Sequence, residues 1–276
     1  MRSSARRGAE PTRARTRSRG VARVNALVWP EEGGALFAGL PEGVTAGFST
    51  LALVPDELEA DAGARRLAEL LGVPGAPVAR LKQIHGATVV EPGHLRPGEV
   101  VVAGYGDALV TTARGLVVAI ATADCVPVVL VDVEAGALAA VHAGWRGTAA
   151  RIVDAALNAL VERGARIDRI HALFGPSISG EVYEVGPEVL AALDGTLPAS
   201  AVLPGRGDRS WLDVAACNEA ALLARGVRAE RIVRPRLCTF REEGRFSSFR
   251  RDGAKAGRIY TGAVLAGNVP VFPPSS

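Results

Sequence analysis

Two histidines and a cysteine stand in short, turn-rich segments flanked by apolar runs. His85 lies in Lys82-Gln83-Ile84-His85-Gly86, Cys125 in Thr122-Ala123-Asp124-Cys125-Val126-Pro127, and His142 in Val141-His142-Ala143-Gly144-Trp145-Arg146-Gly147. The chain holds only four histidines and three cysteines, so three of them at the ends of predicted strands make an economical site. Two imidazoles and a thiolate suit Zn²⁺, and three protein ligands leave a fourth position for water or substrate, which marks a catalytic rather than a structural ion. Taken singly, a cysteine after an apolar strand is ordinarily a small buried hydrophobe. The neighbours favour the joint reading. Asp124 interrupts the apolar stretch 116–131, where a carboxylate is costly unless paired. Arg146 sits between Gly144 and Gly147, where glycine lets backbone approach a ligand closely. A second chemistry uses the same residues without metal: Cys125 as nucleophile and His142 or His85 as its base, giving a cysteine hydrolase or amidase.

The elements that must carry these residues follow from periodicity. Residues 78–84 read as a strand delivering His85. Residues 116–121 and 126–133 are β-branched and almost continuously apolar, as in strands buried on both faces. Glu134-Ala135-Gly136-Ala137 turns the chain, and 138–142 returns as a strand ending at His142. Residues 149–161 place Ile152, Val153, Ala156, Leu157, Leu160 and Val161 on one helical face, so Trp145-Arg146-Gly147-Thr148 opens a helix and offers an anion site at its start. Further helices are expected over 55–71, stopped by Gly72, over 187–193 and over 214–225. Further strands are expected over 23–37, interrupted by a bend, and over 99–102, 108–111, 167–174 and 231–237. Residues 246–257 read as a basic loop.

Composition fits an ordinary soluble enzyme: 48% hydrophobic and 22% charged over 276 residues. No run reaches the ~18 apolar residues that a membrane helix needs. Residues 1–19 hold seven arginines and one acid, so they carry +6 of a net +3 and the remainder is −3. That body advertises no basic face for nucleic acid. The arginine-rich start has a superficial likeness to a transit peptide but lacks an apolar periodic face; a disordered tail over 1–21 is expected, followed by one mixed α/β domain over 22–270. Cys125, Cys217 and Cys238 are odd in number and widely spaced, which argues for a reducing compartment, the cytoplasm.

The order QIHG, then DALVTT and LVVAIATADCVPVVL, then VHAGWRGTAARIV resembles the YfiH-like family. Its members are known as laccase-domain or multicopper polyphenol oxidoreductase proteins and as purine nucleoside phosphorylases. Gly175-Pro176-Ser177-Ile178, Tyr183-Glu184-Val185-Gly186, Leu212-Asp213 with Asn218, Cys238-Thr239, Ser248-Phe249-Arg250-Arg251-Asp252-Gly253 and Gly257-Arg258 extend the likeness. The resemblance implies a layered α-β-β-α sandwich with mixed sheets, in which His85, Cys125 and His142 bind one zinc ion. It implies phosphorolysis of adenosine, inosine, guanosine or methylthioadenosine to base and ribose 1-phosphate, with adenosine deamination at the same site. One branch is tied to editing of peptidoglycan precursors. Copper is disfavoured, because multicopper oxidation needs several centres and many histidines. Asp124 then stands as a general base, ligand-orienting group or buried acceptor. Gln83, Arg146, Arg250 and Arg251 stand as substrate-binding residues toward a nucleoside and phosphate. A monomer without nucleic-acid or membrane partners is expected.

The chain departs from the family in its amino-terminal segment. The pattern Thr-Arg-x-Gly-Gly-Val-Ser followed by Ser-Leu-Asn-Leu is here the shorter Val44-Thr45-Ala46-Gly47-Phe48-Ser49-Thr50-Leu51-Ala52-Leu53. Leu51 takes the Arg position or Ala52 the Asn position, and Ala64 replaces a second Asn before Arg65. Losing these groups is expected to weaken anion or nucleoside binding, with a metal-stabilised interaction module as the extreme case.

Overall fold

The computed structural model describes residues 27–31, 33–195 and 197–267; the arginine-rich start and the beginning of the strand expected from Arg23 lie outside the described residues. A seven-stranded sheet has the order β1 (Leu27–Val28), β2 (Ala35–Phe37), β3 (Val44–Phe48), β16 (Ile259–Leu265), β8 (Val117–Thr122), β4 (Val78–Lys82), β6 (Val100–Tyr105). A six-stranded sheet has the order β15 (Ile232–Val233), β11 (His171–Phe174), β9 (Val126–Asp132), β10 (Ala137–Ala143), β7 (Ala108–Thr111), β5 (Val89–Val90). Both mix parallel and antiparallel pairs. A small third sheet joins β12 (Glu184–Val185), β14 (Ser210–Leu212) and β13 (Val202–Pro204).

The continuous apolar character of the central strands is explained by burial on both faces. Along β9, Val126, Val128 and Leu130 face one core while Val129 and Val131 face another, the two-residue alternation of a strand. The inner core lies between the two sheets and holds Phe37, Phe48, Ile120, Val129 and Leu138. An outer core packs α1 (Ala60–Leu70) on the seven-stranded sheet through Leu67 and Tyr260. The other packs α3 (Ile152–Glu162) and α5 (Val214–Ala224) on the six-stranded sheet through Leu157, Leu160 and Leu222. The layers are therefore helix, sheet, sheet, helix, the mixed α/β sandwich expected.

Several elements differ from the sequence reading. The helix expected over 149–161 is two, α2 (Trp145–Ala149) and α3, because Arg151 adopts a left-handed conformation at φ 62°. The strand expected over 231–237 shrinks to β15, with one further bridge between Ser177 and Cys238. The basic stretch 246–257 contains a short helix, α6 (Phe249–Asp252), rather than loop throughout; α4 spans Pro187–Ala192. Strand β16, placed by no apolar alternation of its own, lies centrally between β3 and β8. At Gly262 a Cβ would stand 2.2 Å from the Val118 carbonyl oxygen, so only glycine lets β16 come this close.

Candidate active site

Strands β4 and β8 are parallel neighbours, and β8 turns through Ala123 and Asp124 into β9. Strand β9 pairs with β10 so that His142 faces Pro127 and Ala143 faces Val126. This topology brings the ends of three strands to one corner. The donor atoms of His85, Cys125 and His142 all lie within 4.8 Å of one another, and the two imidazole rings meet edge to face at 4.8 Å. His85 and Asp124 both have positive φ, 59° and 85°. Such backbone costs a non-glycine residue about 1–3 kcal/mol and persists only when its surroundings hold it.

A residue absent from the sequence-based site supplies much of that hold. Asp107, fully buried at the head of β7, accepts from His142 Nδ1 at 2.8 Å and from the His85 amide at 2.9 Å through Oδ1. Its Oδ2 accepts from the Gly86 amide at 2.7 Å. Burial alone would raise this carboxyl, but donation from His142, Gly86 and His85 holds it below the usual range. A carboxylate only accepts, so His142 Nδ1 carries a proton, and Nε2 is the nitrogen left to meet a metal once its own proton is displaced. Burial pushes the Cys125 thiol up, yet hydrogen bonds and charge from His142 and His85 bring it down to about 7. Burial likewise pushes His142 down, and Asp107 with Cys125 raises it to about 9.

The donor set fits a metal ion. One sulfur and two ring nitrogens converge, and one imidazole is oriented by a carboxylate in the manner usual for metal ligands. The backbone also makes room. At Gly144 a Cβ would stand 2.8 Å from Cys125 Sγ and 3.5 Å from His85 Nδ1.

The corner opens into a cavity of about 930 Å³ whose lining includes Asp124, Trp145, Arg146, Tyr183, Phe249 and Arg250. Arg146 lies over the Trp145 ring at 4.2 Å and Arg250 over Tyr183 at 4.6 Å, so two guanidinium groups are braced on aromatic faces. Helix α2 is too short to act as the anion-binding helix start expected, and Arg146 itself carries the charge there. Asn218 of α5 donates to Thr148 Oγ1 at 2.8 Å and fixes that short helix.

Asp124, expected as a general base, an orienting group or a buried acceptor, is found as a buried acceptor that clamps two segments. Thr239 Oγ1 donates to its Oδ1 at 2.6 Å and the Arg250 amide to its Oδ2 at 2.6 Å. It thereby seats the 239–250 segment beside Cys125. Gln83 lines the cavity, but both ends of its amide are engaged by Ala121, the backbone N–H at 3.0 Å and the carbonyl at 2.8 Å. It continues the pairing of β4 with β8 instead of offering its amide to a substrate. Arg251 turns away: its guanidinium donates to the carbonyls of Thr239, Phe240 and Phe246 and pairs with Asp252 at 2.7 Å. Leu51, Ala52 and Ala64 do not line the cavity; Ala64 lies on the buried face of α1.

Residues 41–266 match the family model described as multi-copper polyphenol oxidoreductase laccase. The purine nucleoside phosphorylase of Deinococcus radiodurans is 43% identical over 198 residues, covering 71% of this chain and 73% of that protein. Adenosine deaminase RL5, from an unknown prokaryotic organism, is 44% identical over 159 residues, covering 56% of this chain and 61% of that protein. The crystal structure of the hypothetical protein YfiH from Bacillus licheniformis superposes with a TM-score of 0.78 at 24% identity, over 87% of this chain and 98% of that one, and so shows the same fold. The chain therefore belongs to the multi-copper polyphenol oxidoreductase laccase family, the YfiH-like family that its QIHG, ADC and HAGWRGT segments resemble.

Proposed function

We propose that this chain is a zinc-dependent purine nucleoside phosphorylase, with adenosine deamination as a second activity of the same site. The observation that carries the reading is the His85, Cys125 and His142 cluster at the floor of a cavity flanked by Arg146 and Arg250. Relatives named purine nucleoside phosphorylase and adenosine deaminase support it. Zinc held there would supply Lewis-acid polarisation of an oxygen. The chain supplies the rest. Arg146 and Arg250 hold hydrogen phosphate by charge-assisted hydrogen bonds. Trp145, Tyr183 and Phe249 give the purine apolar and aromatic surface. Asp107 keeps His142 in one tautomer and, with His85, in one place.

The metal-free cysteine hydrolase uses only part of this arrangement. Cys125 and His142 would form its dyad, but His85 on the same sulfur is superfluous to a dyad and completes a three-ligand set. Copper oxidation is disfavoured by the four histidines of the chain.

We read the protein as one catalytic domain over residues 22–270 acting on small molecules as a cytoplasmic monomer, without nucleic-acid partners. Three free cysteines fit a reducing compartment, and no helix among the described residues is long and apolar enough to cross a membrane. The test is base release from adenosine and inosine by the zinc-loaded protein, with and without phosphate. Phosphate-dependent release of base is expected; ammonia alone would leave only the deaminase, and no turnover would refute the reading.

A further inference from the structure

The cavity has two cationic walls, and phosphorolysis of a plain nucleoside uses one. Arg146 and Arg250 form the wall beside the cluster. The second wall stands on the outer face of the seven-stranded sheet, where Lys82 of β4 and Arg258, just before β16, line the same space. Beneath them lies the Tyr260 ring, paired through its backbone with Ala121 and packed so tightly that a Cβ on Gly63 of α1 would stand 2.4 Å from it. Arg80 also faces this side, but Asp61 takes it up at 2.7 Å. Lys82 lies over the Tyr105 ring at 5.1 Å, and Arg258 donates to the carbonyls of Ala256 and Gly257. Among the described residues no carboxylate pairs with either. Both side chains are exposed, and both line the cavity that holds the cluster.

Size and spacing agree with a second anion. A volume of about 930 Å³ lies at the upper end of the range for small-molecule sites, ~300–1,000 Å³. Ile259, next to Arg258, pairs with Thr122, and Thr122 to Cys125 spans at most ~10 Å of chain. The second wall is thus within a nucleotide's reach of the cluster.

We propose that the preferred substrate carries its own anion on the 5′ side of the ribose: a purine nucleoside 5′-phosphate, with its phosphate on Lys82 and Arg258. The proposal rests on the nucleoside reading above. An oxygen of hydrogen phosphate forms the new bond to C1′, and the C1′–N9 bond breaks with its electron pair passing to the purine. The purine takes the proton that hydrogen phosphate gives up, leaving free base and ribose 1,5-bisphosphate.

The test compares AMP with adenosine, by calorimetric binding to the zinc-loaded protein without phosphate and by base release with phosphate, in the wild type and in K82A/R258A. AMP is expected to bind at least tenfold more tightly, with a ratio falling to about one in the double variant. Equal or tighter binding of adenosine would overturn the proposal, placing free phosphate or nothing on the second wall. An AMP preference unmoved by the substitutions would also overturn it, since the phosphate would then sit elsewhere. If neither compound releases base, the phosphorylase reading fails, and the binding ratio still decides this inference.

Discussion

Two buried histidines lie in the same sheet and have opposite fates. His142, at the end of β10, is flanked by the Asp107 carboxylate and the Cys125 thiol, and its pKa rises to about 9 despite burial. His171, at the start of β11, is lowered to about 4, first by burial and then by the positive charge of Arg231. The Arg231 guanidinium donates to His171 Nε2 at 2.6 Å, since guanidinium cannot accept. His171 Nδ1 consequently carries the proton and has no hydrogen-bond partner. Both rings are almost wholly inaccessible, at 2% and 7% exposure. Burial therefore does not distinguish a functional histidine from a structural one; the charge of the group that orients it does.

The comparison is broken most severely at Asp107. An Asp107→Asn variant keeps the shape but removes the negative charge that orients His142 and seats His85. Zinc affinity is expected to fall about 10–100-fold, the usual cost of losing such an orienting group, read by competition with a chromogenic chelator. An undiminished affinity would leave Asp107 a merely structural acid. At the other histidine the effect is on stability. The folded pKa of His171 is depressed, so the unfolded chain binds the extra proton between pH 6.5 and 4. Stability is full above about 6.5 and is lost as pH falls through that window. The loss is about 2 kcal/mol, at ~1.4 kcal/mol per unit discounted for residual solvent access. In denaturant melts the wild type should lose that amount relative to His171→Gln as pH falls from about 6.5 to 4, with the difference flat above about 6.5. The smallest effect is kinetic. In metal-free protein Cys125, at about 7, should react with iodoacetamide about fivefold faster at pH 7 than an ordinary thiol, its larger thiolate fraction outweighing its lower nucleophilicity. Zinc should abolish that reaction.

The sequence makes the proposed ligands legible because they are rare residue types at the ends of strongly patterned strands. Their supports are harder to see. Asp107 sits between Gly106 and Ala108 in a short extended piece, and only the pairing of β10 with β7 brings it under His142. Gln83 looks like a ligand-facing amide in QIHG; the pairing of β4 with β8 ends at Ala79 and Val118, and the amide takes up the backbone of Ala121 beyond it. Arg250 and Arg251 are indistinguishable as neighbours. About 100° apart around a helical turn, one faces the cavity and the other its own loop's carbonyls. The missing arginine at Leu51 suggests a weakened anion site, yet the cavity draws its charge from Arg146, Arg250, Lys82 and Arg258, far along the chain.

Zinc stoichiometry of the purified protein beside its Cys125→Ser variant tests the central claim most directly. About one zinc per chain, lost in the variant while its thermal unfolding stays cooperative, is the result the proposed zinc site predicts. No zinc in the wild type, or an equal amount in both proteins, would contradict a metal held by His85, Cys125 and His142.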